Sequence, residues 1–598
     1  MALGAWVLIV HMASIATPDH GPMDMSSSDH AGAAGAQAAP VLSTPLEGLA
    51  AAVRESAVEL AGAAAEAGAG AAAAEISHGR NALTLERPRR AEFGDYSTNA
   101  AMLLAKGAGM APRDLADRLG EALLARLGED LERYEVAGPG FLNLFVTDAW
   151  LNRALASVLA AGERFGANMA PLPRRILVEF VSANPTGPLH VGHARNAAYG
   201  DALARMLDLC GHRVAREFYV NDAGSQVYKF GESIIALAGG ETVPEDGYKG
   251  DYVERLVGLA AGREDDPEGV GRAAVAAMIE QAKESLAAFR VLEFDHWAYE
   301  STLHEGNPSP VEHTLQLLEQ AGQTYRSDGA LWLRTTAFGD DKDRVLVRSN
   351  GEHTYFASDI AYHQDKRERG FERQVDVWGA DHHGYIQRMK AAYAALGGDP
   401  DELELVIMQL VHLIRSGERA QMSKRAGEFV SLDELLAEIG VDAARWYLLA
   451  RSHDTTVDLD LDLARSESAE NPVYYVQYAH ARIASMLARA GAERTGEAAA
   501  SAGAGAGQPL HPAERALIEQ LLAFPGELAE AVERRAPHRI AAYALTLAQD
   551  FTGFYRDCRV LGAEPRSLET FRIALCVAVE RALERCLGLL GVDAPQEM

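Results

Sequence analysis

The run Val178-Glu-Phe-Val-Ser-Ala-Asn-Pro-Thr-Gly-Pro-Leu-His-Val-Gly-His193 joins a strand to a helix, and the rest of the chain is organised around it. Ile176 to Val181 is mostly apolar and β-branched, and Pro185 and Pro188 forbid an early helix. From Val191 the apolar positions Tyr199, Leu203, Met206 and Leu207 recur at helical spacing. A helix N-terminus offers unpaired backbone N–H groups and the positive end of a dipole, which favours phosphate. Gly192 lets a base or ribose approach the backbone where a side chain would block it. His190 and His193 flank the glycine, and two imidazoles beside an anion site can stabilise a phosphoryl group as its charge builds up. Two histidines in a helix cap with no ligand are the plain alternative for the four letters His-Val-Gly-His alone.

Next, Arg213-Val-Ala-Arg-Glu-Phe-Tyr-Val220 reads as a second strand, completing a βαβ unit, the first half of a doubly wound sheet. Asn221 to Gln226 then sits at a strand's carboxyl end, where an Asx-turn and a ligand contact both fit. Residues 232–300 read as a charged helical insertion between the halves of the sheet. Phe294-Asp-His-Trp-Ala-Tyr-Glu-Ser301 surrounds Asp295 and Glu300 with aromatics, which suits a planar guanidinium as well as it suits surface acids. Thr354 to Tyr362 opens a helix with Tyr355 and Asp359 on one face. Val375-Asp-Val-Trp-Gly-Ala-Asp-His-His-Gly-Tyr385 is a strand ending in an acidic, histidine-rich turn. Ribose recognition by Asp381 with contacts from His382 or His383 fits there, and a metal is the rival reading. Arg419 to Glu434 is a basic loop before a helix that Ser431 and Glu434 would close with a capping box, and Lys424 in it can reach a leaving pyrophosphate.

The long form Ala-Asn-Pro-Thr-Gly-Pro-Leu-His-Val-Gly-His, residues 183–193, resembles the signature of class I aminoacyl-tRNA synthetases, and of the arginyl-tRNA synthetases in particular. Met422-Ser-Lys424 is similar to the second class signature, with Gln421 and Arg425 as departures. The resemblance implies catalytic roles for His190, Gly192, His193 and Lys424. It implies an ATP site built from Pro188, His190, Gly192, His193, Asp381, His383, Met422, Ser423 and Lys424. It implies an arginine pocket of Ser182, Asn184, His193, Glu300, Tyr355 and Asp359. ATP with Mg2+, L-arginine and tRNA-Arg follow as expected substrates.

Outside that core, the capping run Ser97-Thr-Asn99 and the Gly138-Pro-Gly140 turn delimit a small α+β unit. It resembles the N-terminal additional domain of the same family, which implies that Tyr96 and Asn99 meet the outer corner of tRNA. After Asp462 the chain is almost wholly helical, with Gly491 to Gln508 read as a flexible low-complexity loop. Arg534, Arg535, His538, Arg539, Arg556 and Arg559 interleave with Tyr543, Phe551, Phe554 and Tyr555. That mixture suits splayed single-stranded RNA bases, while core aromatics with surface ion pairs explain it equally. Resemblance to a helical anticodon-binding domain implies RNA contacts from Arg535, Arg539, Tyr555 and Arg556.

The expected architecture is thus an α/β Rossmann-type catalytic domain with a doubly wound parallel sheet over residues 172–450. An N-terminal α+β domain (45–150) precedes it and an all-α C-terminal domain (451–598) follows. With 598 residues, several cores are expected. The net charge, 56 − 85 = −29, excludes a surface that attracts nucleic acid everywhere and confines RNA to local basic patches. Cys210, Cys558, Cys576 and Cys586 have no C-x-x-C pairing, so buried thiols in a reducing, cytoplasmic setting are expected, with no zinc and no disulfide. Residues 1–44 read as a disordered extension with a cleaved signal peptide as the rival, and Ala2 to Val10 is too short to span a bilayer. No membrane association is expected, and a monomer is. A tRNA-independent nucleotidyltransferase with the same His-x-Gly-His motif has no use for the helical C-terminal third. A non-catalytic RNA-binding relative has no reason to keep His190, His193 and Lys424.

Overall fold

The computed structural model describes residues 44–66, 83–88, 90–419 and 430–598. The expected disordered extension therefore lies, but for Thr44, outside the described residues, as do Met422, Ser423 and Lys424 and the side chain of Asp381. The N-terminal part has helix α1 (Pro45–Glu66), strands β1 (Leu85–Glu86) and β2 (Tyr96–Thr98), helices α2 (Ala100–Ala108) and α3 (Pro112–Leu127), and strands β3 (Leu131–Ala137) and β4 (Phe141–Val146). The strands form an antiparallel sheet in the order β1-β2-β4-β3, with Gly138-Pro139-Gly140 turning the β3–β4 hairpin. Helix α4 (Asp148–Ala161), capped by Thr147, leads out of the unit.

The central layer comprises β5 (Arg175–Glu179), α5 (Val191–Leu209), β6 (Arg213–Val220), α6 (Ser225–Ala238), α7 (Asp251–Glu254), α8 (Pro267–Ala288) and β7 (His296–Tyr299). It resumes with α9 (Pro310–Gln320), β8 (Thr324–Ser327), β9 (Ala330–Leu333), β10 (Arg344–Val347), α10 (Tyr355–Glu368), β11 (Arg373–Gly379), α11 (Ile386–Ala395) and β12 (Leu403–Met408). Five strands pair in parallel in the order β12-β11-β5-β6-β7. The chain runs outward from β5 to β6 and β7 on one side, then restarts on the other with β11. The topological switch point lies between β5 and β11, where open α/β sheets bind ligands. The two motifs read as ligand-binding follow those two strands.

The expected insertion over 232–300 is corrected at its end: its last residues are β7, the edge strand of the parallel sheet. A second excursion, unforeseen in the sequence, lies between β7 and α10, where β10-β9-β8 make a small antiparallel sheet. With α9, α10 and α11 it encloses a separate apolar cluster around Val311, Leu318, Leu333, Leu346 and Met389.

The chain continues with β13 (Val411–Arg415), β14 (Glu418–Arg419), α12 (Leu432–Leu449), β15 (Val457–Asp460) and α13 (Leu461–Arg465). The helices α14 (Pro472–Ala490), α15 (Ala492–Ser501), α16 (Pro512–Glu533), α17 (His538–Asp557) and α18 (Arg566–Leu590) complete it. The expected flexible loop over 491–508 is corrected: α15 occupies most of it, with Ala498, Ala502 and Ala506 buried at 0%, 2% and 0% exposure. Alanine's small side chain permits close packing at no rotamer cost, and Arg494 pairs with Glu569 of α18 at 2.7 Å. Low complexity here is a close-packed seam.

Two arginines, one fully buried and one partly so, lock the parts together. Arg445 of α12, fully buried, reaches Asp201 of α5 at 2.5 Å, the Leu590 carbonyl at 2.6 Å and the Phe289 carbonyl at 2.9 Å. Arg515 of α16 bonds Asp95 and the Val146 carbonyl, both at 2.9 Å, and pairs with Asp148, tying the N-terminal sheet to the helical domain. Cys210, Cys558, Cys576 and Cys586 are free and buried, as expected. Among the described residues no helix is long and apolar enough to cross a membrane.

Candidate active site

Strand β5 ends in a tight, strained reversal. The Ser182 N–H donates to the Phe180 carbonyl at 3.0 Å, a γ-turn about Val181, whose φ is 70°; Ser182 follows at φ 40°. A β-branched residue at positive φ is a genuine outlier, worth roughly 1–3 kcal/mol of strain, and such strain clusters at ligand clamps. Helix α5 then starts at Val191 with His190 as its N-cap. The imidazoles close a capping box: His190 Nδ1 accepts from the Gly192 N–H at 3.1 Å and His193 Nδ1 from the His190 N–H at 3.3 Å. The rings stack with centroids 3.7 Å apart. Because each Nδ1 accepts, each ring carries its proton on Nε2, a donor at its far edge.

Gly192 has a second reason to be glycine. A Cβ there would lie 2.9 Å from His190 Cε1 and displace the ring. Gly200, two turns on, lets α5 settle onto β5, since its Cβ would stand 2.1 Å from the Phe180 ring. After the segment that carries Lys424, the chain returns at Val430 to this motif. The Val191 N–H donates to the Val430 carbonyl at 3.2 Å and the Leu432 N–H to the Leu189 carbonyl at 2.7 Å. Ser431 and Glu434 form the expected capping box of α12.

Two neighbouring acids, Glu300 and Asp359, stand at the end of β7 and in the first turn of α10. Glu300, 6% exposed, follows β7; burial, and then the charge of Asp359, push its carboxyl up to about 7 against a Tyr219 hydrogen bond. Burial likewise raises Asp359 of α10, whose Oδ2 accepts from the Tyr385 hydroxyl at 2.5 Å. Neighbouring Asp222 is held by the Ser301 N–H at 2.9 Å and hydroxyl at 2.7 Å. Burial thus works against the ionised form of both acids, while the charges of His363, His382 and Arg388 act on Asp359 in the opposite sense. Tyr355, one turn before Asp359, is 67% exposed at the rim.

Beneath the pocket lies a network not foreseen in the sequence. Asp376, Glu179 and Glu217 are register partners on β11, β5 and β6, three carboxylates side by side in a buried sheet. Helix α10 answers them. Lys366, fully buried, donates to Glu179 at 2.6 Å and Asp376 at 2.9 Å. His363 bridges Asp376 at 2.7 Å and the Asp359 carbonyl at 2.7 Å. Just past α10, Arg369 grips Glu217 at 2.6 and 3.0 Å, joined by the Tyr362 hydroxyl and His296, each at 2.7 Å. Burial alone would raise Glu217, but the hydrogen bonds from His296 and Arg369 hold it at about 2. Burial raises Glu179, against the charge of Lys366. The signal was in the sequence: each of the three strands carries one acid, where a parallel sheet has no water to offer.

Of the other residues expected to bind ligand, Pro188 is half-buried, Asn184 and His383 are exposed, and exposed His382 has its ring centroid 5.7 Å from that of Trp378. Several expected RNA contacts are corrected. Tyr96 is 2% exposed, its ring packed edge-on to Trp150 and its surroundings closed by Arg87, Arg515 and Glu519 of the domain junction. The Asn99 side chain accepts the Thr84 N–H at 2.9 Å and makes no cap bond to α2. Arg535 is bidentate to Glu404 of β12 at 2.7 and 2.8 Å, and its carbonyl accepts from the Tyr199 hydroxyl of α5 at 2.5 Å. Arg539 pairs with Glu527 and Glu530 at 2.8 and 2.6 Å. These arginines serve the fold. Tyr555 and Arg556, by contrast, line an open cleft of about 830 Å3 with Tyr478, Arg482, Arg489 and Arg559. Arg482 lies over the Tyr478 and Tyr555 rings at 4.6 and 5.1 Å. Tyr474, Tyr478 and Arg482 recur every four residues on α14, a stripe legible in the sequence but passed over.

Among known families, the arginyl-tRNA synthetase N-terminal domain matches residues 52–146, the class I (R) tRNA synthetase catalytic domain 154–241 and 271–484, and the DALR anticodon binding domain 476–598. An arginine–tRNA ligase of Shouchella clausii is 44% identical over 534 residues, covering 86% of this chain and 94% of that protein. One of Desulfosudis oleivorans is 45% identical over 536 residues, covering 86% and 95%. The arginyl-tRNA synthetase structure from Thermus thermophilus superposes with a TM-score of 0.71 at 25% identity, over 92% of this chain and 100% of that one. The Plasmodium falciparum structure shares the fold, with a TM-score of 0.67 at 16% identity over 92% and 99%. With three domain matches spanning most of the chain and relatives 44–45% identical over 86% of it, the chain belongs to the arginyl-tRNA synthetases of class I.

Proposed function

We propose that the protein activates L-arginine with ATP, as its magnesium complex, and transfers the arginyl group to the 3′ end of tRNA-Arg. The observation that supports this reading is the pair of carboxylates raised by burial, Glu300 and Asp359, near enough for one to act on the other, in the domain whose β5–α5 junction carries the stacked His190 and His193. A guanidinium fits two acids with a planar fork of donors, whereas a lysine ammonium would leave acceptors buried and unpaired. With the side chain so held, Ser182 and Asn184 receive the amino-acid end and Tyr355 covers the pocket.

The arginine carboxylate attacks the α-phosphorus of ATP in line, forming arginyl-adenylate and pyrophosphate. The Nε2–H donors of His190 and His193 meet the oxygens on which charge builds, so the site is organised before the reaction and needs no protein nucleophile. Lys424, with Met422 and Ser423, steadies the departing pyrophosphate, while Asp381 and His383 hold the nucleoside. The terminal ribose hydroxyl of tRNA then attacks the activated carbonyl and releases AMP. Residues 45–150 serve the tRNA corner, 172–450 the chemistry, and 451–598 the anticodon, through the Tyr478–Arg482–Tyr555 cleft. Each chain holds all three parts, which supports a monomer, and its four free thiols favour the cytoplasm.

Amino-acid-dependent ATP–pyrophosphate exchange, run for all twenty amino acids with and without total tRNA, tests the proposal. Exchange with arginine alone, strongest with tRNA, is expected. Exchange with another amino acid would overturn the pocket assignment, and none at all would overturn the activity.

A further inference from the structure

Ser182 is more constrained than its place at a pocket rim requires. Its hydroxyl donates to Glu179 Oε1 at 2.7 Å and accepts the Tyr219 N–H at 3.1 Å. A serine hydroxyl has one proton and two lone pairs, so these bonds use the proton and one lone pair and leave a single acceptor position. Glu179 Oε2 is in turn fixed by Lys366 at 2.6 Å, and Lys366 by Asp376 at 2.9 Å. We infer that Glu179, braced by Lys366, is a positioning residue that forces Ser182 Oγ to act as an acceptor, tuned to the α-ammonium group of the amino acid.

This rests on the proposed amino-acid pocket and adds a division of labour to it. Glu300 and Asp359 read the far end of the substrate, and the Glu179–Ser182 pair reads the charge at its near end. A free hydroxyl would rotate and serve a donor or an acceptor alike. Here the hydroxyl proton is committed to Glu179, so a carboxylate oxygen arriving at Ser182 Oγ meets a lone pair, while an ammonium meets a partner. The strained turn at Val181 and Ser182 is held by the same two bonds, so the acceptor cannot swing away without breaking them.

The experiment measures binding of three ligands to the full chain: L-arginine, agmatine, which keeps the amine but lacks the carboxylate, and 5-guanidinopentanoate, which lacks the α-amine. In Glu179→Gln, arginine and agmatine are expected to weaken by about tenfold, with 5-guanidinopentanoate unchanged. Glu179→Asp keeps a charge opposite Lys366 but withdraws it from Ser182, and should show the same selectivity. Adding Glu179→Gln to Ser182→Ala should then cost nothing further. Parallel weakening of all three ligands, no change in any, or additive effects in the double variant would overturn the inference. A wild-type protein that binds another amino acid would refute the arginine reading instead. The comparison would then be made with that amino acid and its des-amino analogue, with the same outcomes deciding.

Discussion

The affinity for arginine should depend on pH in a way that the pocket itself sets. Burial and the charge of Asp359 place the Glu300 carboxyl at about 7, against 4.5 for an ordinary glutamate. A guanidinium needs the ionised acid, so the apparent dissociation constant scales as one plus the ratio of protonated to ionised Glu300. Between pH 8 and pH 6 it should rise about tenfold, or about 1.4 kcal/mol. The same shift has a stability consequence with a defined sign. A raised carboxyl means that the folded state holds the proton more tightly than the unfolded one. Stability is then lost as pH rises from 4.5 towards 7 and stays lost above it, by about 3 kcal/mol in total. Glu300→Gln should therefore raise the unfolding midpoint of the ligand-free protein at pH 8 while weakening arginine binding and flattening its pH slope. Calorimetric titration with arginine at pH 6, 7 and 8, on both proteins, is the assay. A wild-type affinity that stays flat over this range, or a slope that survives Glu300→Gln unchanged, would refute the reasoning.

His193→Ala should cut adenylate formation by a factor on the order of 10² or more while leaving tRNA affinity nearly intact; single-turnover kinetics and filter binding check the two halves. Arg535→Ala strands Glu404 with Arg373 alone and should destabilise by roughly 2 kcal/mol, read as a lower denaturation midpoint, with tRNA affinity little changed because Arg535 is occupied within the fold. Ala498→Glu buries a charge in the seam between α15 and α18, and should make residues 491–508 susceptible to limited proteolysis where the wild type resists. Arg482→Ala should weaken tRNA binding and reduce its salt dependence, whereas arginine binding measured without tRNA should not move.

The nucleotide-binding half was open to reading because its signals are local. Proline, glycine and cap residues fix the path from β5 into α5, and apolar runs mark β5, β6 and β11. The pairing of Tyr355 with Asp359 was likewise a matter of helical spacing. What escaped was the part that depends on partners distant in sequence. No pattern in Arg535 announces that it will meet Glu404, 131 residues away, so its charge read as an RNA contact. Tyr96, expected from the resemblance to meet RNA, packs instead on Trp150, with Arg515 and Glu519 of α16, more than four hundred residues later, close to it. The alanine-rich stretch over 491–508 misled in the opposite direction, since small residues mark a linker or a tight seam according to what lies opposite them.

Helix α10 separates two tasks that are usually entangled. Its first turn carries Tyr355 and Asp359, the residues proposed above to meet the substrate, while His363 and Lys366, further along, are bolted to the acids of the sheet. On that proposal, the residues that choose the substrate are not the residues that anchor the helix. Position 355, exposed and outside the anchoring bonds, can then be altered, by selection or by an engineer, without reopening the question of whether the chain folds, whereas Asp359 also holds the Tyr385 hydroxyl.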